Sequence, residues 1–399
     1  MKKFYQTVLI VGLLCSVVGA QNHPNSLVIS NIQTRWDGEY PMIFGVNGDN
    51  YYMNDIFTAV LRQMQYLADS LDFVITTGDH TAGGDSAGYI LYISAIDTLD
   101  VPWVTVMGNH EINDSLGWNR FAEYFGYPDF HFDLGNARFV GLTDCYPAPG
   151  PVSGSENVYY KFLPEQLDWL DSVLADWDGY KFVFIHNVPY LLEHLTIGTV
   201  GGTGMAPSYE ESYTERFTDI LRDNNVYVCF CGHYHCFDRW TADNEQYGEV
   251  TYIITGGAGG MLTPWYYPAP YGGAFYHSLV MELHEDGTLI GHIVRPDTID
   301  DGITSVVYDT IYSFTLEPPS GIIENSSVSP NIIFSYPNPF NQICYFRNTG
   351  AGIITIHDVS GKIVDVVKSD NDGCAVWNPN SSIKSGIYFA NDLKILFVR

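Results

Sequence analysis

Phe73-Val74-Ile75-Thr76-Thr77-Gly78-Asp79-His80 is a short apolar run, rich in β-branched residues, that breaks off in a glycine, a carboxylate and an imidazole. Its first four residues predict a buried strand. The pattern recurs along the chain. Met42-Ile43-Phe44-Gly45-Val46 leads to Gly48-Asp49-Asn50, and Val104-Thr105-Val106-Met107 leads to Gly108-Asn109-His110-Glu111. Phe182-Val183-Phe184-Ile185 leads to His186, and Val228-Cys229-Phe230-Cys231 leads to Gly232-His233-Tyr234-His235. Helical spacing lies between these runs. Asn54 is a candidate N-cap, followed by Ile56, Phe57, Val60, Leu61, Met64, Leu67, Ala68 and Leu71. Pro164 opens a second helix, with Leu167, Leu170, Val173 and Leu174 as its buried stripe, and Tyr213 to Arg222 reads as a third. Alternation of this kind predicts an α/β domain whose strands are covered by helices.

Ligand sites in open α/β sheets form outside the carboxyl ends of the strands. Five such ends would gather Asp49, Asp79, Asn109 and several histidines in one crevice. Carboxylate, amide oxygen and imidazole together suit borderline cations. A carboxylate shared by two cations about 3.5–4 Å apart makes a clamp that activates water for in-line displacement. Singly, each signal is weak: Gly-Asp after a strand is ordinarily a turn, and a lone His186 is ordinarily a hydrogen-bonded core histidine. Their order and shared strand context carry the metal-site reading. Gly201-Gly202-Thr203-Gly204 is only superficially a phosphate loop and reads as a flexible loop over the site.

The motifs Gly78-Asp79, Gly108-Asn109-His110-Glu111, His186 with Val188-Pro189, and Gly232-His233-Tyr234-His235 resemble those of the calcineurin-like metallophosphoesterases, including the purple acid phosphatases. The resemblance spans roughly Pro41 to Gly260. It implies a four-layer α-β-β-α sandwich with a binuclear metal centre of divalent or trivalent ions, Fe, Zn or Mn. Asp79 would bridge both metals. Asn109, His186 and His233 would complete one site, and Asp49 and His235 would belong to the other. His110 would act over the leaving group as general acid or charge stabiliser, with Glu111 steadying His110 or its loop. The implied reaction is hydrolysis of small phosphate mono- or diesters by a metal-bound hydroxide. The first motif departs from the family: Asp49-Asn50-Tyr51 stands where members commonly have Asp-x-His, and Asn50, Tyr51, His80 or water could fill the gap. Ala82 occupies the position of the purple enzymes' tyrosine, so their colour is not expected. The rival reading is a cell-surface binding protein that keeps the fold without turnover.

Composition narrows the partners. The formal charge is -28, with 46 acidic and 18 basic residues. Such a chain lacks the clustered Lys and Arg that hold nucleic acid, and anionic membranes repel it. Residues 1–20 read as a signal peptide: Lys2 and Lys3, an apolar run from Val8 to Val18 too short to span a bilayer, and Val18-Gly19-Ala20 as a cleavage site. No small residue stands directly before Cys15, which argues against lipidation. The catalytic domain is expected over 21–315, a Pro-, Gly- and Ser-rich linker over 316–331 and a small all-β domain over 332–399. Tyr336-Pro337-Asn338-Pro339-Phe340-Asn341, Ile356-His357-Asp358-Val359-Ser360-Gly361-Lys362 and Ser385-Gly386-Ile387-Tyr388 in that last domain resemble the type IX secretion C-terminal sorting domain. The resemblance implies secretion machinery as a partner and a secreted or cell-surface location, without stable membrane insertion. Six cysteines follow the signal. Cys344 with Cys374 is a local pairing; Cys231 with Cys236 is either a disulfide or two buried thiols.

Overall fold

The computed structural model describes residues 23–51, 54–147, 158–189, 211–241, 249–263, 272–296 and 309–319, and beyond them 334–336, 344–347, 353–359, 362–369, 375–380, 382–390 and 393–397. The first region contains helices α1 (Asn25–Arg35), α2 (Asp55–Tyr66), α3 (Ser86–Ile96), α4 (Gly117–Phe125), α5 (Pro164–Ala175) and α6 (Glu211–Asp223). Its strands are β1 (Met42–Asn47), β2 (Phe73–Thr76), β3 (Trp103–Val104), β4 (Phe130–Leu134), β5 (Ala137–Gly141), β6 (Cys145–Pro147), β7 (Val158–Tyr160), β8 (Tyr180–Phe184), β9 (Val228–Cys231), β10 (Phe237–Thr241), β11 (Thr251–Thr255), β12 (Ser278–Leu283), β13 (Leu289–Arg295) and β14 (Asp309–Leu316).

Two six-stranded sheets face each other, in the orders β14-β13-β12-β1-β2-β3 and β10-β11-β9-β8-β5-β4. Strands β1, β2 and β3 run parallel, as do β5, β8, β9 and β11. Between the sheets, Phe44 and Phe73 from one meet Phe139, Phe182 and Phe230 from the other, all fully buried. Outside the first sheet, Phe57, Val60 and Met64 of α2 and Tyr92 and Ile96 of α3 cover Val74 and Trp103. Outside the second, Leu167, Leu170 and Leu174 of α5 and Phe217 and Leu221 of α6 cover Val140, Val183 and Cys229. These layers form the expected α-β-β-α sandwich.

The expected elements sit close to their observed bounds. Asn54 caps α2 by accepting from the Phe57 amide at 3.1 Å. The β12–β13 hairpin turns at Gly287, whose φ of +88 suits glycine. Of the apolar run Val104–Met107 only Val104 is strand: β3 covers Trp103–Val104, and the chain then runs into a short 3-10 segment at His110–Ile112. Helices α1 and α3 carry no clear signal in the sequence, whereas α4, outside the expected elements, is amphipathic and buries Gly117, Phe121 and Phe125. In α1 only Asn25, Val28 and Ile32 are buried; Asn25 exchanges side-chain bonds with Thr105 backbone at 2.8 and 3.0 Å. Helix α3 is apolar nearly all round, leaving Ile90 and Leu91 exposed, so no stripe stands out.

Cys231 and Cys236 are separate buried thiols, not a disulfide. Cys374, the Gly201–Gly204 stretch, the signal segment and most of the linker lie outside the described residues. In the last third, β15 (Phe334–Tyr336), β16 (Cys344–Arg347) and β19 (Ala375–Trp377) form one small sheet. β17 (Ile353–Asp358), β18 (Ile363–Lys368), β20 (Gly386–Ala390) and β21 (Leu393–Phe397) form another. Ile354, Ile356, Trp377 and Ala390 share their core, so this region is a small β domain. No helix among the described residues is long and apolar enough to cross a membrane.

Candidate metal centre

Each polar motif follows the carboxyl end of a strand: Asp49 after β1, Asp79 after β2, Asn109 and His110 after β3, His186 after β8, and His233 and His235 after β9. The loops are bound to one another through backbone. The Asp49 amide donates to the Gly78 carbonyl and the Asn50 amide to the Asp79 carbonyl, each at 3.0 Å, and the Gly232 amide donates to the His186 carbonyl at 2.8 Å. Asp49, Asp79 and His233 all hold positive φ (62, 60 and 66). Residues with a Cβ rarely adopt that conformation, and it clusters at functional sites. Gly108 is required by close approach: a Cβ there would fall 2.4 Å from the Asp79 amide nitrogen.

The side chains converge tightly. Asn109 Oδ1 lies 2.9 Å from both His186 Nε2 and His233 Nδ1, and those two nitrogens are 3.3 Å apart. Asp79 Oδ1 is 3.3 Å from His186 Nε2. His186 Nδ1 donates to the Thr77 carbonyl at 2.8 Å, which leaves Nε2 with a lone pair. That nitrogen meets an amide oxygen, a carboxylate oxygen and a second imidazole nitrogen, a donor set that a cation can bind in place of a proton. The residues fit a bound metal. Fixing a ligating imidazole through its other nitrogen is the usual outer-shell device.

The second half of the expected centre is looser. His235 Nδ1 donates to the Met261 carbonyl at 2.6 Å, and its Nε2 stands 3.4 Å from Asp49 Oδ1. Asp49 also accepts from the His233 amide at 3.1 Å. Metal-capable atoms of Asp79, His186 and His233 all lie within 4.8 Å of one another; among the described residues no second group of three does. The alternatives for the first-motif gap separate clearly. His80 has Nδ1 against Asn50 Oδ1 at 2.8 Å and Nε2 within 3.0 Å of Thr76 Oγ1 and the Val106 carbonyl. Both its ring nitrogens and the Asn50 oxygen are thus occupied in the core. Tyr51 instead lays its ring flat on His110, centroids 4.1 Å apart, and tilts against His235 at 5.7 Å.

Electrostatics follows from crowding. Burial alone would raise the Asp79 carboxyl, but the imidazoles of His186 and His110 and their hydrogen bonds hold it well below the usual carboxylate range. Burial opposes a charge on His186, yet the Asp79 carboxylate wins and pushes it up to about 10. Burial and the neighbouring His186 drop His233 to about 3. Burial likewise opposes a charge on His235, and the hydrogen bond and charge of Asp49 overcome it, so its pKa rises. His110 Nδ1 meets the Ala82 carbonyl at 3.0 Å, aiming Nε2 toward Asp79 Oδ2, 3.8 Å away.

Glu111 is fully buried. Its Oε2 accepts from the amides of Asp79 and Gly108 at 2.9 and 2.8 Å, and its Oε1 from those of His80 and Thr81 at 2.7 and 2.9 Å. It ties the Asp79 and Asn109 loops together. Two nearby groups escaped the motif reading. Buried Asp144 accepts from the Asn187 amide at 2.8 Å behind His186, and Tyr160 sets its ring edge-on to His233 at 5.7 Å. Neither lies in a motif; Asp144 could have been suspected only as a carboxylate at the end of an apolar strand.

Comparisons with known proteins bear on the family and the fold. A family model described as calcineurin-like phosphoesterase matches residues 27–237. A curated relative, the probable glycerophosphodiester phosphodiesterase GpdQ of Arcobacter nitrofigilis, is 28% identical over 173 residues, 41% of this chain and 56% of its own. The chain therefore spans little more than half that relative's length. Among solved structures, purple acid phosphatase PPD1 from yellow lupin seeds superposes with a TM-score of 0.54 at 14% identity, covering 74% of this chain and 58% of that one. GAP50 of Plasmodium, described as the anchor in the inner membrane complex, gives a TM-score of 0.43 at 15% identity, over 70% of this chain and 90% of that one. At 14% identity the likeness to the lupin enzyme concerns the fold alone.

Proposed function

Because this chain belongs to the calcineurin-like phosphoesterase family, we propose that it is a secreted, two-metal hydrolase of phosphate mono- or diesters. The observation that carries this reading is the meeting of Asp79, Asn109, His186 and His233 atoms at 2.9–3.3 Å. Asp79, Asn109, His186 and His233 would hold one cation; Asp49 and His235, with Asp79 shared, would hold the other. When bound, such a pair acidifies water and offsets phosphoryl charge.

The chain's own residues do the rest. Asp79 stays ionised through the neighbouring imidazoles. His110, oriented by the Ala82 carbonyl and the Tyr51 ring, keeps Nε2 free to hand a proton to the departing ester oxygen. Glu111 fixes the backbone on which Asp79 and Asn109 sit. A binding protein without turnover has no need of an imidazole held this way, half-open beside the metal ligands. The signal-like residues 1–20 and the sorting-domain resemblance of 332–399 support export by the type IX route. Amino-terminal sequencing of the secreted product tests this: a start near Gln21 is expected, and a retained Met1 would defeat it.

Asp79→Asn removes the shared carboxylate charge. Bound metal is expected to fall and hydrolysis of a chromogenic phosphate ester to drop at least a thousandfold. Full activity in that variant, with metal content unchanged by elemental analysis, would end the two-metal reading.

A further inference from the structure

The cations of the metal-binding domain are all accounted for without one reaching the centre. Between residues 21 and 319 the sequence carries 40 Asp and Glu but only 10 Lys and Arg, and none of these 10 falls outside the described residues. Arg138 forks onto Asp133 at 2.7 and 2.8 Å, Arg222 pairs with Asp219 at 2.6 Å, Arg120 pairs with Asp114 at 2.7 Å, and Arg216 pairs with Asp168. Arg35 and Lys181 donate to the carbonyls of Asp100 and Asn224 at 2.9 and 2.8 Å. Arg239 lies over the Phe314 ring at 4.5 Å and Lys161 over Tyr146 at 5.4 Å. Arg62 and Arg295 are exposed, on α2 and at the end of β13. Among the described residues, Asp49 and Asp79 form ion pairs with histidines alone. Tyr51 lies against His110 and His235, while Tyr160 and Tyr234 stand edge-on to His233, whose ring also meets His186.

This distribution bears on substrate charge. A phosphate monoester has a second pKa of about 6 and carries roughly −1.5 to −2 at pH 7. A diester carries a single charge. Sites that handle the more highly charged phosphoryl group commonly set Arg or Lys on its oxygens. No such side-chain clamp stands here, so the bound cations alone would offset the phosphoryl charge, within a domain that is otherwise strongly negative. We propose that the site selects by charge, taking phosphodiester monoanions in preference to monoester dianions, with Tyr51 and Tyr160 as neutral contact surfaces for the ester groups. The proposal rests on the hydrolase reading above and deepens it. In the reaction, the oxygen of water bonds to phosphorus and one P–O ester bond breaks; one proton of the water ends on the departing alcohol and the other is lost to solvent. The product is a monoester bearing the additional charge, which the site releases instead of cleaving again.

The test uses the full, metal-loaded chain with bis(p-nitrophenyl) phosphate and p-nitrophenyl phosphate at pH 7 and low salt. The diester is expected to show a kcat/KM at least tenfold higher and to release one equivalent of nitrophenol. Tyr160→Arg, which adds a cation beside His233, should raise kcat/KM for the monoester about tenfold with little gain for the diester. Independently of any variant, raising ionic strength from about 0.02 to 0.3 M should narrow the diester preference at least twofold, by screening the acidic surroundings. A monoester preference, two equivalents released, or equal gains for both esters in Tyr160→Arg would each overturn the proposal while leaving the hydrolase reading intact. Turnover of neither ester by protein that holds its metals would overturn the hydrolase reading, and this inference with it.

Discussion

Glu111 organises more of the site than any metal-capable residue does. One buried carboxylate receives four amide protons, from Asp79, His80, Thr81 and Gly108, and so holds two loops that come from different strands. Charge-assisted bonds of this sort contribute about 1.5–3 kcal/mol each, and a buried donor left unmet costs comparably. Glu111→Gln keeps the shape but turns an NH2 group toward donating amides. The variant is expected to lose about 3 kcal/mol or more in chemical denaturation. Its hydrolysis should fall at least a hundredfold, because Asp79 loses its fixed backbone. Unchanged stability would show that the four amides find other partners. The sequence placed Glu111 beside His110 but not under Asp79: adjacency along the chain reveals neighbours on one loop, whereas the bonds run to another, 30–32 residues away.

At the scale of elements, the strand ends do the positioning and the loops store the strain. Strands such as β2, β8, β9 and β11 are buried on both faces, so their apolar runs stand out in the sequence. Helices whose sides differ in burial, such as α2, stand out as well. Helix α1 rests on a few contacts at the open edge of the sandwich, and its sequence has no stripe to show. The entry to β12 adds a titrating group. His277 is fully buried, with Nε2 3.2 Å from Thr255 Oγ1 and Nδ1 3.0 Å from the Phe275 carbonyl. Burial drops its pKa to about 4, from an ordinary value of 6.5. The unfolded chain therefore takes up a proton at this residue as pH falls from 6.5 toward 4, while the folded chain does not. Stability held above pH 6.5 is lost across that window. In metal-free protein, His277→Gln is expected to flatten the fall in unfolding free energy between pH 6.5 and 4 by up to one proton's worth of slope; an unchanged slope would place the uptake elsewhere.

For the whole molecule, the centre ties the two sheets together. Asp49, Asp79 and Asn109 come from the first sheet, and His186, His233 and His235 from the second. A cation bound among them crosslinks halves that otherwise meet through the phenylalanine core. Because the metal binds the folded chain, its removal should lower stability by mass action. Chelation followed by thermal unfolding is expected to lower the Tm by several degrees, with recovery on adding back metal. The same midpoint with and without chelator would mean that the centre is not loaded.

The sequence by itself determined the order of strands and candidate ligands along the chain, since buried strands must be apolar and must end where polar residues begin. It also determined the α/β class and the strongly acidic charge. Only the tertiary structure decided which candidates face one another. His80 and Asn50 stand in the same motifs as the ligands, yet packing turns them toward each other, while Tyr51 is left lying on His110. A motif fixes spacing along one strand; the direction of a side chain depends on backbone φ and on what the facing sheet leaves room for.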